Sequence, residues 1–264
     1  MAAFDDDAAY RRRHFDGFEL VAADCTGHAF ARHSHDEYVV SVNRTGLERI
    51  WLDGRTYEAG TRELTVYGPG QVQGGHAVGP QWRIATLYVD PKWLAATCAL
   101  PAEPHAERPV FESAAAAALR DIATAVFRHD AAPEAVEQSV MRLLGGLPWN
   151  GKRAETRASP STLSLVSRVA KRLRAEMAEA PSLAEIARTE GISRAGVVRA
   201  FAAVHGVTPY AWLAIERLKE ARRRLSGGDP AGRVAADLGF ADQAHMTRAF
   251  KAAFAVTPAR HARA

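Results

Sequence analysis

Residues 191–209 read GISRAGVVRAFAAVHGVTP, and residues 239–258 read GFADQAHMTRAFKAAFAVTP. The tripeptide Arg-Ala-Phe at 199–201 recurs at 248–250, and the Val-Thr-Pro that closes the first stretch recurs at the same offset of 49 residues. The opening glycines are 48 residues apart, so the second copy has one extra residue in its turn. The same residue types in the same order at a fixed offset indicate an internal repeat.

Each copy has the pattern of a helix-turn-helix. A short helix, predicted at 182–190 in the first copy and 230–238 in the second, ends near a glycine, and another helix follows at once. Phe201 and Phe250 are expected to anchor the second helices in the core, which leaves their other faces exposed to enter a DNA major groove. A continuous helix predicted at 208–226 joins the copies. A plain helical bundle built by duplication is the alternative.

The charge of the chain is unevenly distributed. Residues 159–264 contain 17 Lys and Arg against 9 Asp and Glu, a net charge of +8, whereas residues 1–158 contain 17 against 21, a net charge of −4. A basic part attached to a mildly acidic body favours nucleic acid as a partner. A well-solvated helical surface would carry the same charge, so charge alone leaves both interpretations open.

The N-terminal part has the pattern of a small β-protein followed by helices. Strand-like runs rich in Val, Ile, Tyr and Trp occupy residues 17–90, and Asp53-Gly54 between two of them predicts a hairpin turn. Apolar residues at helical spacing then predict helices within 113–146. Residues 148–161 have the composition of a linker.

These patterns predict an α+β multidomain fold. We expect an N-terminal β-barrel at residues 1–110, a helical segment for dimerisation or packing at 111–147, and a linker at 148–162. An all-α domain with two helix-turn-helix units joined by a linker helix is expected at 163–264. The apolar stripes of the helical segment suit a dimer interface and packing onto the barrel equally well.

Composition excludes several classes of protein. The 264 residues contain no apolar run near the ~20 residues that a membrane helix needs, so a membrane-spanning protein is not expected. The N-terminal residues lack the apolar segment of a secretory signal. Two cysteines, Cys25 and Cys98, are too few for a disulfide framework or a CxxC zinc site. Both are expected to be buried, and a cytoplasmic location follows.

The C-terminal part resembles the DNA-binding domain of the AraC/XylS family of bacterial transcription factors. The resemblance rests on SLAEIARTEGISRAGVVRAF, on the helix that begins at Thr208-Pro209 and ends KEARRRL, and on ADLGFADQAHMTRAFKAAFAVTPARH, which is similar to the family's signature. It implies two helix-turn-helix units in adjacent major grooves, ~34 Å apart. The partners it implies are double-stranded DNA, a small-molecule effector, RNA polymerase and a second copy of the chain as a homodimer. The location it implies is the nucleoid of a bacterial cytoplasm.

Helix geometry selects the side chains of the second helices that face DNA, because buried anchors fix the inward face of each helix. The residues expected at the DNA are Arg194, Ala195, Val198, Arg199, Gln243, Ala244, His245, Thr247 and Arg248.

Two arginines and a glutamine of this set suit base contacts. Arg199 and Arg248 fit guanine, and Gln243 fits adenine, although a phosphate contact or a salt bridge is the alternative for each arginine. Ala195 and Val198 stand where the family often has polar or larger residues, so the first unit is expected to distinguish fewer bases. The arginines at 222–224 are expected at phosphates or in solvent, and the helix starts near Thr208 and Thr257 are expected to offer backbone N–H groups to phosphate.

The chain from about residue 15 to 95 is similar to the cupin-like sensor domain of this family, on the stretches RHSHDEYVVSVNRTG and LDGRTYEAGTRELTVYGPGQV. The resemblance suggests an effector pocket in the barrel, and core packing is the alternative for its aromatic residues. The expected lining residues are His33, His35, Tyr38, Trp51, Trp82 and Tyr88.

No cofactor and no metal are expected. His33 and His35 lie two residues apart on a predicted strand, as in metal-binding cupins. Those proteins supply a glutamate where this chain has residues 39–41, Val-Val-Ser, and a histidine where it has Gln73.

Three functions compete at this point. The first is a transcriptional regulator, expected to be an activator, that responds to a small molecule bound in the barrel. The second is a constitutive DNA binder whose barrel only dimerises. The third is a cupin enzyme, but the chain has no GxSxG, P-loop or zinc-protease motif, so no catalytic residues are expected.

Overall fold

Two compact units make up the chain in the computed structural model, which describes residues 10–52, 54–98, 105–106, 109–127, 131–150 and 158–263. One unit contains residues 1–31 and 35–153, and the other contains residues 32–34 and 154–263. The first combines a sheet with three helices, and the second is helical.

The N-terminal unit is an antiparallel sheet flanked by helices. Its strands are β1 Tyr10–Phe15, β2 Phe18–Asp24, β3 Ala29–His33, β4 Tyr38–Leu52, β5 Arg55–Ala59, β6 Glu63–Tyr67, β7 Gln73–Val89, β8 His105–Ala106, β9 Val110–Glu112 and β10 Trp149–Asn150. Its helices are α1 Pro91–Thr97, α2 Ala114–Phe127 and α3 Pro133–Gly145. An eight-stranded sheet has the order β1-β2-β7-β4-β6-β9, with β3 beside β7 and β5 beside β4, and β8 pairs with β10 separately.

Alternate residues of β4 enter two different environments. Tyr38, Val40 and Val42 belong to an apolar core that also contains buried residues of α2 and α3. Successive side chains of a strand point to opposite faces, so Ser41 and Asn43 face the other way, into the interior of the sheet. Both are buried. The helix-facing side of the sheet is therefore apolar, and the interior side contains buried polar groups.

The sheet folds back on itself because β4 bends. Val39 and Ile50 belong to one cluster of buried residues, although a straight strand would hold them about 36 Å apart. The register of β4 against β7 shifts twice between Asn43 and Leu47. Gly46, at the bend, has φ +84°, and a Cβ there would collide with the carbonyl oxygen of Gln81. The bend thus depends on a glycine at this position, and it brings residues from both halves of β4 together in the interior of the sheet.

The apolar stripes of α2 and α3 pack onto the sheet. Leu119 and Ile122 of α2, together with Val140 and Leu144 of α3, are buried in the same core as the helix-facing residues of β4. Of the two interpretations open from the sequence, packing onto the barrel is the one these side chains adopt. They are consequently not exposed to form an interface with a second chain.

Several strands differ from the sequence-based expectation. The strand predicted across residues 33–38 is absent as such: β3 ends at His33, β4 begins at Tyr38, and His35 lies between them. The short runs predicted around residues 38–52 are one strand of 15 residues. Its partner β7 has 17 residues and continues through Gly74, Gly75 and Pro80. Ladder pairing over this length overrides the weak strand propensity of those residues.

The C-terminal unit consists of seven helices within the described residues. They are α4 Pro160–Ala175, α5 Leu183–Glu190, α6 Arg194–His205, α7 Pro209–Ser226, α8 Ala231–Asp237, α9 Gln243–Phe254 and α10 Pro258–Arg263. The long α7 contacts α4, α6, α8, α9 and α10, so it is the centre of the unit. Helices α5 and α6 form one helix-turn-helix, and α8 and α9 form the other, as the repeat predicts.

Side-chain caps fix where these helices begin. Ser182 and Glu185 form a capping box, with the Ser182 Oγ accepting from the Glu185 backbone N–H and the Glu185 carboxylate accepting from that of Ser182. Thr208 caps α7, at the start predicted for that helix. Helix α8 has no side-chain cap, and the Asp229 carboxylate that precedes it pairs with Arg224, 2.6 Å away.

The second helices of the two helix-turn-helix units, α6 and α9, end differently. Gly206 ends α6 with φ +70°, whereas Ala255 ends α9 with φ +61°. A side chain in this left-handed region clashes with the following carbonyl, at a cost of about 1–2 kcal/mol. The second copy therefore contains local strain that the first copy avoids.

Replacing Ala255 with glycine is expected to raise the free energy of unfolding by about 1 kcal/mol, because the left-handed conformation costs glycine nothing. Urea denaturation monitored by circular dichroism measures this change. The matched variant Gly206→Ala is expected to lower the free energy by a similar amount. A free energy of unfolding that stays the same or falls in Ala255→Gly would contradict the assigned strain.

Candidate functional site

The first recognition helix, α6, is held by its inward face. Val197 and Phe201 are fully buried, and the Phe201 ring lies edge-on to Trp212 of α7 at a centroid distance of 5.8 Å. Ser193 caps the helix by accepting from the Gly196 backbone N–H. Ile192, just before the helix, is partly buried. These contacts determine which face of α6 remains exposed.

The predicted DNA-facing residues of α6 lie on that outer face. Arg194, Ala195 and Arg199 are exposed, and Val198 is partly exposed. Neither arginine has a hydrogen-bond or ion-pair partner among the described residues. Both guanidinium groups are thus available to an anionic or hydrogen-bonding partner from outside the domain.

The second recognition helix, α9, is anchored in the same way. Met246 and Phe250 are fully buried, and the Phe250 ring lies 4.7 Å from that of Phe254. Phe240, in the turn before the helix, is partly exposed. Asp242 caps the helix by accepting from the His245 backbone N–H at 2.6 Å. Equivalent positions of the two repeat copies are therefore buried, or cap the helix, in both units.

The outer face of α9 presents a more polar set than that of α6. Gln243, Ala244, His245 and Arg248 are exposed, and Thr247 is partly exposed. Arg248 has no hydrogen-bond or ion-pair partner within the described part of the chain.

His245 of this set differs from the others, because its side chain folds back against the turn that precedes α9. The His245 Nδ1 lies 3.4 Å from the Ala241 backbone N–H, and the ring packs edge-on to Phe240. These contacts hold the imidazole at the start of α9.

Other arginines of the unit are engaged in its structure. Arg224 pairs with Asp229 and Asp237, and its side chain is only 16% exposed. The expectation that it contacts phosphate or solvent is therefore wrong. Arg223 pairs with Glu220 at 2.5 Å but remains exposed. The sequence alone does not distinguish these arginines, because the partners of Arg224 lie beyond its own helix, on the turn after α7 and on α8.

A second group of contacts joins α4 to the rest of the unit. Arg217 of α7 donates two hydrogen bonds to the carbonyl oxygen of Met177, at 3.1 and 2.6 Å. Arg174 donates to Glu216 at 2.6 Å, and its guanidinium lies 4.8 Å from the centroid of the Trp212 ring. The end of α4 is thus fixed against α7, between the two helix-turn-helix units.

The helix starts that were expected to offer N–H groups to phosphate are already capped. The Thr208 hydroxyl accepts from the Ala211 backbone N–H of α7. The Thr257 hydroxyl accepts from the Arg260 backbone N–H of α10. One N–H group of each first turn is therefore occupied by the chain's own side chain.

The interior of the N-terminal sheet contains a hydrogen-bonded polar network. The Ser41 and Thr86 hydroxyls lie 2.8 Å apart, and the Thr65 hydroxyl donates to the Ser41 carbonyl oxygen at 3.3 Å. The Trp82 Nε1 donates to the Asn43 Oδ1 at 2.8 Å. Buried hydroxyl and amide groups of this kind make the interior of the sheet polar, at a desolvation cost that an aliphatic core would avoid.

Three of the predicted effector-contacting residues belong to this interior. His35 and Tyr88 are neighbours, with ring centroids 4.9 Å apart. Trp82 is fully buried in a cluster against which Tyr88 also packs. His33 is buried as the last residue of β3. Strand alternation thus places Trp82 and Tyr88 on the same face of β7, and the segment between β3 and β4 places His35 beside Tyr88.

Tyr38 and Trp51 do not join them. The Tyr38 ring packs edge-on to Trp149 in the layer between sheet and helices. Trp51 lies on the opposite strand face from Ile50 and Leu52, both of which belong to an interior cluster. The expectation that these two aromatic residues line the same interior as Tyr88 is wrong, because only every second side chain of β4 points into the interior of the sheet.

The sequence-based site missed an acidic residue of the interior. Glu48 is paired with Ala59 of β5 and Ala77 of β7, and it shares a strand face with Ile50. Burial raises the pKa of its carboxyl group to about 8. A carboxyl two residues before the apolar Ile50 in a predicted strand is the signal that could have identified it.

The described residues contain neither a cluster of metal ligands nor a membrane-spanning helix. Within them, no group of three or more His, Cys, Asp or Glu side chains is arranged to hold a metal ion. None of the helices in the described ranges is long and apolar enough to cross a membrane.

Comparison with known proteins supports the two-part organisation. A family model described as an AraC-like ligand binding domain matches residues 16–158, and one described as a helix-turn-helix domain matches residues 186–264. No curated protein of significantly similar sequence was found.

Solved structures of ToxT from Vibrio cholerae share the whole architecture. An apo form has a TM-score of 0.58 at 12% identity, covering 96% of this chain and 99% of that one. A form with bound unsaturated fatty acid has a TM-score of 0.54 at 10% identity, covering 96% and 97%. At such identities the likeness establishes the fold. Because the ligand-binding model spans more than half of the chain and the helix-turn-helix model follows it, the protein belongs to the AraC family of transcription regulators, with an N-terminal sensor domain.

Proposed function

We propose that α6 and α9 place their outer faces in two successive major grooves and that Arg199 and Arg248 carry most of the base recognition. The observation that carries this proposal is the equivalence of the two arginines. They occupy the same position of the repeat, are exposed, and have no partner among the described residues. Arginines elsewhere in the unit, such as Arg217 and Arg224, are held by carbonyl or carboxylate oxygens.

The two units are proposed to differ in what they distinguish. An arginine that donates two hydrogen bonds to guanine contributes about 1–3 kcal/mol of discrimination. Beside Arg199, α6 offers Ala195 and Val198, which suit only the methyl groups of thymine. Beside Arg248, α9 offers Gln243, which suits adenine. We therefore expect the half-site bound by α9 to be the more strictly defined.

Replacing either arginine with alanine tests this assignment. Arg199→Ala and Arg248→Ala are each expected to weaken binding to the preferred site by about 10- to 100-fold and to relax specificity at one base position. Fluorescence anisotropy on a set of single-base variants of the site measures both effects. Arg188→Ala on α5 and Arg233→Ala on α8 are controls, because both side chains are exposed but lie on the non-recognition helices. A uniform loss on every DNA sequence would show that the arginine contacts phosphate only.

The interior of the N-terminal sheet is proposed to bind a small-molecule effector that regulates DNA binding. Support comes from the polar interior, where Ser41, Asn43 and Thr86 are buried in place of aliphatic residues. A solved ToxT structure contains an unsaturated fatty acid, which is a precedent for ligand binding in this fold. The effector shifts the population between DNA-binding states only if it binds one of them more tightly. Activation through RNA polymerase at the bacterial nucleoid is part of the same proposal.

The competing interpretation is a constitutive DNA binder whose sheet domain only dimerises. Titrating DNA affinity against candidate ligands separates the two, since only the regulator responds. A homodimer remains part of our proposal, but the buried stripes of α2 and α3 are already used within one chain. Its interface would have to use their outer surfaces, such as the exposed Ala117, Ala118 and Gln138. Sedimentation velocity of the full chain measures the oligomeric state.

A further inference from the structure

Glu48 is a partly buried acid without a counter-ion among the described residues. Burial alone accounts for its raised pKa, and no positively charged side chain among the described residues acts on it. It also has no hydrogen-bond or ion-pair partner within that part of the chain. An unpaired carboxyl group in these surroundings costs the folded state stability when it ionises, and a ligand that supplied a positive charge would remove that cost.

Space for the Glu48 carboxyl group is provided by a glycine. Gly75 lies on β7 opposite Ile50, and a Cβ built there would come within 2.7 Å of the Glu48 Oε1. Any other residue at position 75 would have to displace the carboxyl group. The strand thus accepts a residue of low strand propensity where the acid needs room.

The surroundings of Glu48 are aromatic. Tyr67 lies close enough for Glu48 to raise its pKa in addition to the effect of burial. Tyr57 and Tyr88 pack against the same interior cluster as Tyr67. The Cys25 thiol also lies within electrostatic reach, and burial and Glu48 together raise its pKa. The groups near Glu48 are therefore neutral at physiological pH, and several have π faces.

We propose that the effector is a small organic cation whose ammonium or amidinium group pairs with Glu48 and packs against the interior tyrosines. A carboxylate with aromatic faces is the combination that attracts such groups, since both the charge and the ring quadrupoles favour a cation. A fatty-acid carboxylate would favour the protonated form of Glu48 and would gain no ion pair here. A metal ion would require further ligands, and the described residues do not supply a cluster of them. This inference rests on the proposed sensing function.

Binding is coupled to loss of a proton. The free protein holds Glu48 mostly protonated below pH 8, and a bound cation favours the ionised form. Affinity for a cation should therefore rise about tenfold per pH unit below pH 8 and level off above it. Tyr67 and Cys25, the other titratable groups near Glu48, have raised pKa values and stay protonated across this range.

Calorimetric titration of the full chain with defined probes tests the inference. Benzylamine and tetramethylammonium are the cationic probes. Benzyl alcohol and benzoate are the neutral and anionic counterparts of benzylamine, and MgCl2 and ZnCl2 test for a metal ion. We expect only the organic cations to bind, with the pH dependence given above. Glu48→Gln should weaken them at least tenfold and abolish that dependence.

Two further variants test whether the effect is specific to the Glu48 carboxyl group. Gly75→Ala crowds the carboxyl group without removing it and should also weaken the cations. Glu58→Gln is the matched control, because Glu58 is exposed and pairs with Arg49 on the surface of the sheet. Glu48→Gln is expected to fold, since it removes the buried acid. Its melting temperature should exceed that of the wild type increasingly between pH 5 and pH 8, where the raised pKa of Glu48 costs the folded state stability.

The outcomes separate this inference from the sensing function. The inference would be overturned if benzyl alcohol, benzoate or a metal salt bound in preference to the organic cations. It would also be overturned if cation binding were unchanged in Glu48→Gln, or if no organic cation bound at all. DNA affinity measured with and without each probe tests sensing. Glu48-dependent cation binding that leaves DNA affinity unchanged would keep the cation site and contradict sensing through it.

Discussion

Gly239→Ala is expected to destabilise the C-terminal unit by about 3 kcal/mol or more, a large part of the stability of a small domain. Gly239 forms the turn between α8 and α9 with φ +73°. A Cβ there would collide with the carbonyl oxygen of Ala178 and approach the Arg217 Nη2 to 2.8 Å. Arg217 is itself held by the Met177 carbonyl oxygen. Neither neighbour can move without disturbing the junction of α4 with α7.

The first copy of the repeat supplies the control. Gly191 occupies the equivalent turn with φ +67°, but a Cβ there would meet nothing within 4 Å. Gly191→Ala should therefore cost only the backbone term of about 1–2 kcal/mol. Urea denaturation of both variants gives the comparison. Equal losses would mean that the close approach at Gly239 has no energetic weight, and that the α4–α7 junction does not constrain the second unit.

Phe250→Ala is the second change with a large expected effect. Phe250 is fully buried, with Phe254 and His261 against its ring. Truncating a buried phenylalanine costs about 3–5 kcal/mol, because the cavity fills only partly. Since this side chain fixes the inward face of α9, we expect specific DNA binding to be lost at temperatures where the wild type is folded. Thermal denaturation and anisotropy on the preferred site measure the two effects.

The repeat again supplies comparisons. Phe201→Ala removes the equivalent anchor of α6 and should cost a similar amount. Phe240→Ala removes a ring that is partly exposed, so its effect should be much smaller. A loss below 1 kcal/mol for Phe250→Ala would argue against its anchoring role.

The C-terminal unit could be predicted from the sequence in more detail than the sheet. Its helices begin at local signals, such as the Ser182–Glu185 capping box, and the duplicated Arg-Ala-Phe motif fixes which face of each helix is buried. Both are encoded within a few residues of where they act. The ion pairs of Arg224 escaped prediction because they join α7 to Asp229 and Asp237 beyond its end.

The sheet depends on long-range pairing that local patterns do not contain. The β4 bend at Gly46 relies on the approach of Gln81, 35 residues away in the chain. That bend decides which side chains enter the interior, so Tyr38 and Trp51 were assigned to it wrongly and Glu48 was overlooked. Strand alternation places Tyr38 and Ser41 on opposite faces, but the strand register is needed to decide which of the two faces is the interior.

Selection of fragmented genomic DNA by the purified protein at ~150 mM salt tests the central claim most directly, because that salt suppresses counterion-driven nonspecific binding. We predict a few strongly enriched sites, each with two short boxes about one helical turn apart. The double variant Arg199→Ala, Arg248→Ala should lose the enrichment while remaining folded. Uniform recovery of all fragments, with the same profile for the double variant, would contradict sequence-specific recognition by the two helices.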